Sequence, residues 1–137
     1  MDDTRLAPAV GIVAALAVVA VLAVPYALID TPGTVGAYYG GGLVDPQFAG
    51  LFALVAVIVF AAGRQERSDP ALAAGAGLVF GLFTLLFCAL WAFTVPADFV
   101  LSLTTETAIE YHRYLLVVVA LFLPAGGLWY ARALRLV

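Results

Sequence analysis

Few residues in this chain could do chemistry, and most of them lie in one stretch. The segment TTETAIEYHRY, Thr104 to Tyr114, holds Glu106, Glu110, the single histidine His112 and Arg113. A histidine can carry a proton or ligate a metal. Cys88, the one thiol, could act as a nucleophile if a base stood beside it. Each chemistry needs partners that the chain either lacks or is expected to hold at a different depth. A structural zinc wants four N/S ligands, whereas one His and one Cys are expected at different depths. A bis-histidine haem would need a second chain. There is no C-x-x-C, no H-E-x-x-H and no P-loop, and Gly40, Gly41 and Gly42 lack the lysine and Ser/Thr of a phosphate cradle. No catalytic, cofactor-binding or metal-ligating residue is assigned.

The same stretch also reads as a helix start. Thr107-x-x-Glu110 has capping-box spacing, Glu110 and Arg113 can pair at i, i+3, and Tyr111, His112 and Tyr114 form an interfacial collar. Alternatively, Glu106, Glu110, Tyr111, His112, Arg113 and Tyr114 form an outer rim that contacts another subunit, a lipid headgroup or a quinone-like ligand. The helix-start reading is the simpler one. It gives His112 no partner to lose, so Thr107→Ala is expected to cost more stability than His112→Ala.

The surrounding composition decides what positions these residues. The chain is 65% hydrophobic and 11% charged, with a mean hydropathy of +1.11, far above a soluble domain. Four apolar runs are long enough to cross the roughly 30 Å hydrocarbon core: about 8–29, 46–62, 70–95 and 107–131. Their continuity favours helices over barrel strands, giving an all-α bundle of four transmembrane helices in a single membrane domain. Asp45-Pro46 and Asp69-Pro70 pair a capping acid with a proline at the first helical position, and Pro8 is expected to open span one in the same way. Pro25 and Pro124 fall inside spans, where each frees a carbonyl one turn earlier.

Small residues supply the packing surfaces. Ala73, Gly77 and Gly81 form a ridge at four-residue spacing on span three, and Gly126 and Gly127 offer a close approach on span four. The tyrosines beside the triple glycine, Tyr38 and Tyr39, read as part of an unspecialised outer loop. Thr84 and Cys88, inside span three, read as a back-bonded threonine and a small buried hydrophobe.

Five of the six arginines fall on the side shared by both termini, so the positive-inside rule expects cytoplasmic termini in a multi-pass cell-membrane protein. A net charge of −3 argues against nucleic acid. In span count, absence of lysine and acidic loops, the chain resembles small four-span membrane proteins of halophilic archaea, a group with no assigned activity. From the residues themselves, the expected function is non-enzymatic: helix association in a homo- or hetero-oligomer among membrane lipids, as an accessory or scaffolding subunit and without a cofactor. An oligomeric carrier or pore for an apolar compound is the alternative, as is a redox subunit using His112 as an intermolecular ligand.

Overall fold

The computed structural model describes residues 2–29, 33–96, 98, 99, 101 and 107–137, and the side chains of all of these except Thr107, Ala108 and Glu110. It is all-helical among those residues: α1 (Asp3–Leu28), α2 (Thr34–Gly40), α3 (Gln47–Arg64), α4 (Pro70–Thr94) and α5 (Thr107–Ala133). All but α2 are long and apolar enough to cross a membrane. Large apolar side chains point outward, Val13, Ile58, Leu72 and Phe93 among them, as expected where the surrounding solvent is hydrocarbon.

The four long helices form a ring in which α1 packs on α3 and α5, and α4 packs on α3 and α5. Neighbours run antiparallel. At one end Arg64 Nε donates to the Arg5 carbonyl at 2.9 Å. At the other, the Tyr26 hydroxyl meets Gln47 Oε1 at 2.5 Å. Between these ends Phe60 of α3 sits where a Cβ on Gly11 or Gly77 would lie, 2.7 Å and 2.5 Å from its ring. One aromatic ring is thus clasped by two glycines from different helices.

Helix starts follow local chemistry. The Asp69 carboxylate accepts from Ala71 N at 3.1 Å, with Pro70 in the first turn of α4. Asp45 does the same for Gln47 N at 2.9 Å, although Pro46 itself is the capping residue of α3. Span one differs from the expectation. Asp2 caps α1, accepting from Thr4 N at 3.3 Å, and Pro8 lies within the helix and not at its start. A nearer carboxylate captured the first amides and extended the helix toward the terminus.

The segment expected as an open outer loop is also organised. Gly33, at φ 83°, turns the chain into α2 in the left-handed region that glycine tolerates best. α2 then buries Val35, Tyr38 and Tyr39. Gly42 lets the chain cross the end of α4, since a Cβ there would fall 2.8 Å from the Trp91 ring. Leu43 N donates to Thr94 Oγ1 at 2.7 Å just beyond.

Candidate functional site

The polar residues of the bundle converge beneath α2. His112, on α5, is 3% exposed. Its Nδ1 lies 2.9 Å from the Tyr38 hydroxyl and its Nε2 lies 2.6 Å from the Val21 carbonyl of α1. A carbonyl can only accept, so Nε2 carries the proton and Nδ1 accepts from Tyr38. That carbonyl is available because Pro25, one turn on, has no amide to give it. The proline vacates a backbone acceptor, and a side chain from another helix fills the vacancy.

Tyr39 performs a parallel task. Its hydroxyl donates to the next carbonyl of α1, Leu22, at 2.5 Å. Trp91 of α4 donates from Nε1 to the Tyr38 carbonyl at 3.3 Å, and its ring meets Tyr38 edge-on at 5.0 Å and Tyr39 at 5.3 Å. Both tyrosines are fully buried. Four elements (α1, α2, α4 and α5) are therefore joined through one aromatic and polar cluster.

Arg113 is beside this cluster and turned inward, 7% exposed. One guanidinium nitrogen donates to the Val95 carbonyl at 3.2 Å, at the end of α4, and the other to the Tyr114 hydroxyl at 2.9 Å. The cation lies 4.7 Å from the centre of the Tyr114 ring. A positive side chain on an orphan C-terminal carbonyl also complements the negative end of the α4 dipole.

A family model matches residues 1–135. The chain belongs to the family of unknown function DUF7548. No curated protein and no solved structure matches it.

In this DUF7548 member the residues expected at an outer rim separate into two groups. Tyr111 and Tyr114 are exposed, whereas His112 and Arg113 are buried. The collar reading is corrected for His112: it has two partners, and both ring nitrogens serve packing between helices. Glu106 and the side chains of Thr107 and Glu110 lie outside the described residues, and with them the capping box. The packing residues are each buried. A Cβ on Gly81 would stand 2.9 Å from the Pro124 backbone nitrogen, one on Gly126 3.1 Å from Gly11 Cα, and one on Gly127 2.8 Å from Leu78 Cα. Ala73 lies against Gly63, whose added Cβ would be 2.5 Å from it. Thr84 bonds back to the Phe80 carbonyl at 2.8 Å, and Cys88 is a buried free thiol. Among the described residues no group of three His, Cys, Asp or Glu could hold a metal ion.

Sequence reasoning missed Tyr38, Tyr39 and Trp91. A signal was present: an aromatic pair followed by glycines, a proline near the C-terminal end of span one, and the lone histidine near the N-terminal end of span four.

Burial pushes the pKa values of the Tyr38 and Tyr39 hydroxyls up, opposed at Tyr38 by Arg113 and reinforced at Tyr39 by Tyr38. A raised folded value means the fold prefers the neutral phenol. The resulting stability is complete below the unfolded value of about 10 and is lost as pH climbs past it. The DUF7548 protein should therefore melt at falling temperatures as pH rises above about 10. In Tyr39→Phe the baseline should drop and this alkaline slope should flatten. Melting curves across that range check both, and a slope unchanged in Tyr39→Phe would refute the assignment.

Proposed function

We propose that this DUF7548 chain is a non-enzymatic multi-pass protein of the cell membrane that works by helix association, as an accessory or scaffolding subunit of a larger membrane assembly. One observation carries the reading: the residues best equipped for chemistry are committed to architecture. His112 uses both nitrogens to tie α5 to α1 and α2. A redox role as an intermolecular ligand would require it to abandon Val21 or Tyr38, which weighs against that alternative.

What the fold offers outward is apolar. A groove of about 440 Å³ lies between α1 and α5, floored by Ala9, Ala14 and Ala17 and walled by Val13, Val119 and Phe122. Small residues flanked by large ones suit close packing of a further helix. The same groove supports the second reading, an oligomeric carrier for an apolar or lipid-like compound. Purification from native membranes separates them. The subunit reading expects a distinct membrane protein at fixed stoichiometry, lost in Ala14→Leu and retained in Leu72→Ala on the opposite side of the ring. A chain that stays alone, or that binds only apolar compounds, would defeat it.

Orientation is part of the proposal. Arg5, Arg64, Arg67, Arg132 and Arg135 mark one end of the bundle, which the positive-inside rule puts in the cytoplasm. In a Cys88→Ala background, a cysteine at Gly40, where a side chain meets nothing within 4 Å, should react with an impermeant reagent in intact cells. One at Ser68 should be protected. The reverse pattern inverts the topology.

A further inference from the structure

At the arginine-rich end the ring of helices opens into a cavity of about 430 Å³, lined by Arg5, Arg64, Asp2, Glu66 and Tyr130 among others. Tyr130 is the informative member. It is 1% exposed, its ring tilted by 44° against that of Phe60 with 6.3 Å between centres. Its hydroxyl has no hydrogen-bond partner among the described residues and is the part of the side chain left open to the cavity. Glycine at position 63 keeps the hydroxyl open, because a Cβ there would lie 2.9 Å from it.

The two arginines complete a donor set. Arg64 is oriented by the bond from its Nε to the Arg5 carbonyl, at 2.9 Å, which leaves its terminal nitrogens for another acceptor. No carboxylate among the described residues lies within ion-pair distance of Arg5 or Arg64. Asp2 is already turned to the Thr4 amide at 3.3 Å, and Glu66 sits exposed on the rim. A phenol O–H and two guanidinium groups at the mouth of a helix bundle match the oxygens of a phosphate group. The two carboxylates suit hydroxyl or ammonium donors carried next to that phosphate. Basic pockets between membrane helices hold anionic headgroups by the same chemistry.

We infer that this cavity is a phosphate-binding site, with Tyr130, Arg64 and Arg5 as the donors to a lipid headgroup or to a soluble phosphate compound. Tyr130→Phe tests it with little disturbance, since the ring stays on Phe60 and only the hydroxyl goes. Protein reconstituted in phosphatidylcholine nanodiscs doped with phosphatidylglycerol, then examined by native mass spectrometry, should retain phosphatidylglycerol preferentially. Tyr130→Phe and Arg64→Gln should each retain it roughly tenfold less, the effect of one lost charge-assisted bond. Titration of inorganic phosphate onto detergent-solubilised protein distinguishes the sources: saturable binding that both variants weaken, without lipid retention, assigns the site to a soluble phosphate compound. Should Arg64→Gln fail to fold, Tyr130→Phe decides alone. Equal lipid retention by wild type and Tyr130→Phe, with no variant-sensitive phosphate binding, overturns the inference.

Discussion

Replacing His112 with alanine should lower the stability of the bundle by about 2–4 kcal/mol, as one orphaned buried acceptor and a side-chain-sized void together imply. The two partners fare differently. Tyr38 has a fallback, because its hydroxyl already lies 3.4 Å from the Ile109 carbonyl and can turn to it. The Val21 carbonyl has none nearby, since Pro25 cannot supply the amide. This asymmetry yields a sharper test than the single variant. Pro25→Ala restores a backbone N–H facing Val21, so in the His112→Ala background it should recover part of the loss. In the wild-type background the same change makes a second donor compete for a satisfied acceptor, and brings little gain. A double mutant whose cost is the plain sum of the two single changes would show that the proline-freed carbonyl is not what His112 serves. Melting temperatures of the four proteins, in one detergent and at one protein concentration, decide it.

How far this was legible depends on which physical quantity carried each feature. The four long helices follow from hydrocarbon thickness, a constraint that hydropathy reports directly. Their ends were read less well, because capping is a competition between neighbouring groups, and Asp2 outcompeted the proline at position 8. Helix α2 carries no such signal. Seven residues are too few to be helical alone, and what holds it are contacts with α1, α4 and α5 that are distant in sequence. The inward turn of His112 lies between these cases. Ile109, His112, Arg113, Leu116, Ala120 and Leu123 are all buried, and their spacing of three and four residues marks one helical face. Yet the remaining faces of α5 are equally apolar, so periodicity in a lipid-facing helix cannot say which stripe is the inner one. Polarity then suggested the interface, whereas Pro25 had prepared a partner within the bundle.

Gly81→Leu should be the most damaging substitution on α4, and Gly75→Leu, six residues earlier on the same helix, should be nearly silent. The contrast rests on what an added side chain meets. At Gly81 the first new carbon would already be 2.9 Å from the Pro124 nitrogen and 3.0 Å from its Cα. These are backbone atoms, unable to move without shifting α5. At Gly75 a Cβ meets nothing within 4 Å. Overfilling a packed site costs about 1–3 kcal/mol and sometimes more, and separating two backbones belongs at the upper end. Gly77→Leu should fall between the two, because its obstacle is the Phe60 ring, which can move only by displacing the contact with Gly11 as well. Leu78 lies off the line of Ala73, Gly77 and Gly81 but is not a neutral position, because its backbone is the surface on which Gly127 rests. Leu78→Ile should therefore be felt more than Gly75→Leu, although it conserves volume. Thermal denaturation of the four variants orders them. If Gly81→Leu melts with Gly75→Leu, α4 and α5 do not approach as closely as these glycines imply.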